Sequence, residues 1–300
     1  MSDQEKILRS VGIHDGTFHA DELSACALLI MFDFIDRDKI FRTRDPSMLT
    51  RCEYVCDVGG EYLSEEKLFD HHQSGYRGTL SSAGMILGYI RDEGILSQRE
   101  YDFFYSMIIR GVDAHDNGKI LHEEGVAIFS HVISNFNPPE YDASKDVQED
   151  AFHKAMDFTL GHFQRLWGRY EYVHSCREIV SECMKNSKEI MIFDKALPWQ
   201  ESFFELGGEN HPALFVIMPA AEHWKLRGIP PSLDDRMSVR MPLPKEWAGL
   251  LDDDLKKVSG ILGAVFCHKG LFTSVWETKD AALRALEYIM NKRGGGELWQ

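Results

Sequence analysis

Two imidazoles and three carboxylates fall within the nine residues HDGTFHADE, positions 14 to 22. They sit between an apolar, strand-like run (ILRSVGI) and an apolar, helix-like run (DELSACALLIMFDFI), and they are the donor types that hold divalent metal ions. Three further clusters carry the same chemistry. Asp57 follows YVC; Asp70, His71 and His72 follow KLF; Asp113, His115 and Asp116 lie in GVDAHDNG. Singly, each has an ordinary structural reading. An Asp after a strand is commonly a turn or N-cap residue, and Asp21 and Glu22 suit the positive end of a helix dipole. Together, on one expected edge at the carboxyl ends of the strands of one sheet, they point to a metal centre. A mixed His and carboxylate set fits Mn²⁺, Fe²⁺, Co²⁺ or Zn²⁺ better than the all-oxygen set of Mg²⁺ or Ca²⁺. About seven ligands exceed the needs of one ion and suit two that share a bridging carboxylate.

The elements that must position these groups alternate. ILRSVGI, KIFRTR, EYVCDVG and KLFDHH read as strands, and DELSACALLIMFDFI and SSAGMILGYIRDEG as helices, which predicts an α/β class with a mainly parallel sheet and helices on both faces. From about Ser97 to Ser187 the pattern is helical: SQREYDFFYSMIIRGV, GVAIFSHVISNF, and a long segment from Asp146 to Lys185, with NPPEYD as the break between helices. Strand signals return in EIMIFD, ALFVIMPA, SVRMPL, GAVFCHK and LFTSVWE, closed by the helical DAALRALEYIMNK. The expected organisation is a catalytic domain with a helical connector at 1–187 and a smaller, substrate-presenting α+β domain at 188–300. In that second domain Arg227 and Arg240 lie on expected strands beside aromatic and proline residues, where a guanidinium fork suits phosphate; surface ion pairs are the ordinary alternative. Lys269 is an anion donor by charge and equally a solvated strand-end lysine. The GGG at 294–296 lacks the flanks of a phosphate loop and reads as a flexible tail.

The balance of 48 acidic to 33 basic residues argues against a broad grip on duplex nucleic acid. The six cysteines show no CxxC pair or disulfide spacing, the N-terminus shows no targeting pattern, and no run reaches a membrane span, so a cytoplasmic location without a membrane partner is expected. Phe103, Phe104, Tyr105, Trp167, Tyr170 and Tyr172 fall at helical spacing and fit core packing or a homodimer interface. Trp199, Trp224, Trp247 and Trp276 lie in the second domain, where one or two would suit base stacking.

Asp70-His71-His72, preceded by His14, His19-x-Asp21 and Asp57 and followed by Asp113, resembles the four-motif signature of the DHH phosphoesterase superfamily, which includes RecJ nucleases, NrnA-type oligoribonucleases and manganese-dependent family II pyrophosphatases. Within it the chain resembles the Myg-type family through HDGTFHADE, TRDP, FDHHQ, LSSAG, GVDAHDNG, MPLPKEWAGL and SGILGAVFCHKGLF, over nearly its whole length. The resemblance implies one ion on His14, His19 and Asp57, and a second on Asp21, Asp57, His71 and Asp113, with Asp57 bridging. It implies His72 facing the phosphate or leaving group and Asp70 orienting an imidazole. His19 stands where the superfamily has an aspartate, which softens the site; Mn²⁺ is the first expectation among Mn²⁺, Mg²⁺, Co²⁺, Fe²⁺ and Zn²⁺. Cys267-His268-Lys269-Gly270 replaces the GGGH-type motif that holds phosphate or base in RecJ-like members, which adds His268 to Arg227, Arg240 and Lys269 as expected substrate contacts. The implied activity is a two-metal phosphodiesterase acting as an exonuclease on short single-stranded RNA. A small-molecule phosphohydrolase acting on pyrophosphate, a cyclic dinucleotide or a nucleotide, and a catalytically silent metal-binding regulator, stay open beside it.

Overall fold

The computed structural model describes residues 5–120, 123–140, 142–235 and 237–294. Of the GGG expected as a tail, positions 295 and 296 lie outside them. The chain is α/β and divides into two compact units, 1–167 and 168–300. In the first unit β1 (Ile7–Ile13) leads into α1 (Ala20–Met31). β2 (Ile40–Arg42), α2 (Pro46–Leu49), β3 (Cys52–Cys56), β4 (Tyr62–Leu63) and β5 (Leu68–Phe69) follow. The helices after them are α3 (Ser82–Asp92), α4 (Gln98–Phe104), α5 (Arg110–Asp116) and α6 (Phe129–Ser134), with the start of α7 (Lys145–Ser175). The sheet runs β2-β1-β3-β5-β4, parallel throughout except for the antiparallel edge strand β4.

The side-chain alternation of β3 decides the layering. Tyr54 and Cys56 enter the main core with α1, α3 and the start of α7, whereas Val55 turns the other way onto Leu49 of α2. One face therefore carries most of the helices and the other only the short α2. Ser97 and Glu100 form a capping box that starts α4. Between α4 and α5 the helix passes through a π-helical turn, Tyr105–Ile109, a feature frequent at functional sites.

The second unit holds α8 (Arg177–Asn186), β6 (Ile190–Ile192), α9 (Trp199–Glu205), β7 (Phe215–Ala220), β8 (His223–Gly228), α10 (Asp252–Ser259), β9 (Ala264–Cys267), β10 (Thr273–Trp276) and α11 (Lys279–Gly294). Its sheet, β6-β7-β8-β10-β9, is parallel only between β6 and β7. Among the described residues no helix is long and apolar enough to cross a membrane, and all six cysteines are free.

The structure departs from the sequence reading in five places. The helix expected over 125–136 shortens to Phe129–Ser134, and the long helix from 146 to 185 breaks at Cys176, which separates α7 from α8. Val180 and Met184 of α8 pack with Met191 and Trp199, so the division between units falls inside α7, ahead of the composition change at 187/188. SVRMPL is bend and coil rather than strand. Its chain is held by Arg240, whose backbone N–H donates to Ile229 while the guanidinium reaches inward. Finally, Asp113 and Asp116 lie within α5, so the fourth acidic cluster is helical and not at a strand end.

Candidate metal centre

Because β1, β3 and β5 are parallel neighbours, their carboxyl ends lie side by side, and each ends in a metal-ligand type. His14 follows β1, Asp57 follows β3, and Asp70, His71 and His72 follow β5. Asp57 adopts a left-handed φ of 55°, which aspartate tolerates, and Gly59 and Gly60 continue the turn at 102° and 73°. Gly60 N then donates to Asp70 Oδ2 at 2.6 Å, which ties the β3 and β5 loops together.

The HDGTFH loop is anchored from both sides. Asn137 Nδ2 donates to Phe18 O at 2.8 Å, and Phe18 N donates to Asn137 Oδ1 at 3.1 Å. Buried Arg42 donates to Gly16 O and lies over the Phe152 ring, 4.6 Å from its centroid. The loop delivers His19 as the N-cap of α1, where its backbone N–H donates to Glu22 Oε1 at 2.8 Å.

Three sets of donors converge. His14, His19, Glu22 and Asp57 form one; Asp57, Asp70, His71 and His72 form a second; Asp21, His71 and Asp116 form a third. Asp57 belongs to the first two and His71 to the last two. His14 Nε2 lies 3.2 Å from Glu22 Oε1 and 3.3 Å from Asp57 Oδ2. His71 Nε2 lies 3.0 Å from Asp116 Oδ2 and 3.6 Å from Asp57 Oδ1. His72 is held by Asp70, whose Oδ1 is 2.8 Å from its Nδ1, and its side chain stays 64% exposed.

The model of MYG1_exonuc, the uncharacterised protein family UPF0160, matches residues 10–288. The chain belongs to this family. It is 50% identical to the MYG1 protein of Chlamydia muridarum over 289 residues, covering 96% of this chain and 99% of that protein. The MYG1 protein of Chlamydia pneumoniae is 52% identical over 290 residues, with 96% and 99% covered. A rat relative named MYG1 exonuclease is 32% identical over 328 residues, covering 94% of this chain and 85% of its own.

The donor set of this MYG1-family chain fits divalent cations on a specific observation. Glu22 Oε2, Asp57 Oδ1 and His71 Nε2 are buried without a hydrogen-bond partner, although each sits in a converging group. His71 is within ion-pair distance of Asp116 but not in hydrogen-bonding geometry. Buried polar atoms rarely go unsatisfied in a native fold, and cations among these groups would supply the missing partners.

Titration follows from the same crowding. Burial opposes the charge on His14, but Asp57 and Glu22 outweigh it and raise the imidazole to about 10. Asp116 and Asp57 likewise raise His71 to about 10. Burial, with Asp57 and Asp116 nearby, holds Asp21 well above the usual carboxylate range, while Asp57 is held below it against its burial by His14 and His71.

The sign for the imidazoles is fixed. Their folded values of about 10 exceed the unfolded value of about 6.5, so without metal they add stability that is full below pH 6.5 and is lost as pH rises through 10. Divalent cations compete with those protons. The rise in Tm given by Mn²⁺ over chelator should therefore grow between about pH 6 and 9, as scanning calorimetry at fixed Mn²⁺ would record; a flat increment would contradict these imidazoles as ligands.

The remaining expected site residues fall as follows. Asp21 is buried with its oxygens accepting from Ser82 N at 3.1 Å and Ala83 N at 2.6 Å. Asp113 Oδ1 accepts from Ser81 N at 3.0 Å and Ser81 Oγ at 2.8 Å, and burial pushes its carboxyl up to about 6. The two carboxylates thus cap the buried start of α3, which is why LSSAG has small residues; a Cβ on Gly84 would lie 2.5 Å from Asp113 Oδ2. Asp113 is in none of the three donor sets, and Asp116, one turn further along α5, is.

Arg240, expected at a phosphate, spends its fork on carbonyls: Nη1 on His211 and Ala213 at 2.6 and 3.0 Å, Nη2 on Gly208 at 2.8 Å, Nε on Pro230 at 3.2 Å. Arg227 sits on β8 with its guanidinium 5.4 Å from the Phe272 ring. His268 Nδ1 accepts from Gly270 N at 2.9 Å to close the turn after β9, and Lys269 is exposed there. Trp247 and Trp276, weighed as base-stacking residues, are fully buried against each other.

In the sequence, first-turn Glu22 reads more readily as a helix-dipole charge than as a member of the donor set. Its signal was the His19-x-x-Glu22 spacing of a capping box, which directs the carboxylate back to the loop.

Proposed function

We propose that this chain is a divalent-metal-dependent phosphodiesterase that removes nucleotides from short single-stranded RNA in the cytoplasm. The observation that carries the reading is the fusion of three His and carboxylate sets through Asp57 and His71, in a cleft of about 540 Å³ that His14, His19, Asp57 and His72 line. The name exonuclease carried by mammalian relatives at 32% identity supports the reaction class. The run of motifs from His14 to Asp113 resembles the DHH phosphoesterases, and Mn²⁺ suits the mixed donors.

In this reading His14, His19, Glu22 and Asp57 would hold one cation, and Asp21, His71 and Asp116, with Asp57 beside them, would hold a second. When bound, such cations bring the pKa of water toward neutrality and neutralise phosphoryl charge. The chain's own groups do the rest. Asp57 faces both positions. Exposed His72, oriented by Asp70 at 2.8 Å, protonates the departing oxygen. A formal charge of −15 disfavours long duplexes, so a short strand that presents few phosphates is the substrate.

The test offers metal-stripped protein a five-nucleotide RNA beside pyrophosphate, before and after Mn²⁺ is restored. The expected result is stepwise shortening of the RNA only with Mn²⁺. Phosphate release from pyrophosphate with intact RNA would replace this reading with a small-molecule phosphohydrolase, and turnover of neither would remove both.

A further inference from the structure

We propose that Arg44, in the TRDP segment, is the specificity-determining contact for a second, non-scissile phosphate of the substrate; the inference rests on the phosphodiesterase reading above. Among the described residues lining the cleft, Arg44 is the one lysine or arginine, against four carboxylates: Asp15, Asp57, Asp70 and Asp116. Cations on the buried donors would offset the inner three of these. They leave the outer part of the cleft, where Asp15 lies, with Arg44 as its fixed positive charge.

The local chain holds Arg44 in place while leaving its fork available. Thr43 N donates to Ile13 O at 2.8 Å, which ties the segment to the end of β1 beside His14. On the other side Asp45 Oδ1 accepts from Ser47 N at 2.9 Å, and Asp45 N donates to Thr43 Oγ1 at 3.1 Å. Arg44 thus projects from a braced turn. Its contact is an ion pair of Nε with Asp15 Oδ1 at 3.3 Å, with the two side chains 65% and 51% exposed. Among the described residues the guanidinium makes no hydrogen bond, and its ion pair engages Nε, so Nη1 and Nη2 can take a phosphate bidentately.

Position separates the two phosphates. The scissile one belongs among donors that are buried, such as His14, Asp21 and Asp57. Arg44 stands at the mouth of the same cleft and meets the neighbouring phosphate along the strand. Asp15 aims Nε and, as an exposed carboxylate, yields readily to the phosphodiester anion. The substrate class that follows is a chain with at least two phosphates, in preference to a simple diester with one.

The test compares Mn²⁺-loaded wild type, Arg44→Ala and Arg44→Lys on an RNA trinucleotide and on bis(p-nitrophenyl) phosphate, with bound Mn²⁺ measured in each. A charged hydrogen bond lost from the bound phosphate should raise KM for the trinucleotide about 10- to 100-fold in Arg44→Ala, with kcat changing little. The ratio of kcat/KM between trinucleotide and diester should fall by about the same factor. Arg44→Lys should recover part of it, because a point charge replaces the fork. An unchanged ratio, or a parallel loss of bound Mn²⁺, overturns the assignment.

Binding of a 3′-fluorescein-labelled trinucleotide, followed by anisotropy against salt, separates this inference from the reading beneath it. Arg44→Ala should flatten the slope of log K on log salt by about 0.7, the contribution of one phosphate contact to a single strand. If wild type binds with the steeper slope yet cleaves nothing, the phosphodiesterase reading fails and the Arg44 contact stands. If the slopes coincide, the contact fails whatever the activity.

Discussion

Asp57→Asn should abolish turnover and remove the stabilisation that Mn²⁺ confers, while the chain still folds. Asp57 links the His14 set to the His71 set, and in the proposed assignment it serves both positions, so its loss should disable both. Removing a partner that merely stands behind a ligand costs 10- to 100-fold, so loss of a shared ligand should cost at least about 100-fold in kcat/KM. Asparagine is the informative replacement because it too tolerates the φ of 55° at this position. Asp57→Ala mixes the metal effect with backbone strain of about 1 kcal/mol. In chelator, Asp57→Asn should melt below wild type, because the carboxylate that stabilises protonated His14 and His71 is gone; with Mn²⁺ the gap should widen further by the ligand-dependent increment. Full turnover together with a normal Mn²⁺ increment would remove Asp57 from the centre.

Asp113→Ala and Asp116→Ala should fail in opposite ways, although the two residues lie one turn apart on α5. Asp113 is buried and accepts two hydrogen bonds from Ser81 at the enclosed start of α3. Its removal leaves those donors without a partner, a loss of about 2–4 kcal/mol. For a unit of this size that lowers Tm by roughly 5–15 °C, with or without metal. Asp116 has a side chain 21% exposed and its oxygen 3.0 Å from His71 Nε2. Asp116→Ala should weaken Mn²⁺ binding, as metal content after dialysis and calorimetry would show, and should lower the melting temperature in chelator less than Asp113→Ala does, by the lost pairing with His71. The reverse pattern, with Asp113→Ala stable but metal-poor, would return the ligand role to Asp113 as the superfamily resemblance implies.

The contrast shows what kind of information each residue carries. Both aspartates are legible in GVDAHDNG as metal-ligand types. Which one faces the donors depends on the phase of α5, and that phase follows a π-helical turn that leaves no clear mark in YSMII. Arg240 makes the same point. Its chemistry suits phosphate, yet SVRMPL is not a strand, and a half-buried guanidinium satisfied by four carbonyls serves packing. Glu22 and Asp21 are adjacent in sequence, but successive helical positions turn by about 100°, so one meets His14 and the other the start of α3.

The sequence by itself determined the α/β class, the strand that ends at Ile13, the metal-ligand residue types in the loops after β1, β3 and β5, and membership of the family. These are local or repeated signals: residue type, period and spacing. Only the tertiary structure decided that Asp57 and His71 each serve two donor sets, that Asp116 joins them while Asp113 caps a helix, and that Arg44 shares their cleft. Those outcomes depend on parallel strands lying side by side and on how α5 is turned against them, and contacts between residues tens of positions apart leave no periodic trace in the chain.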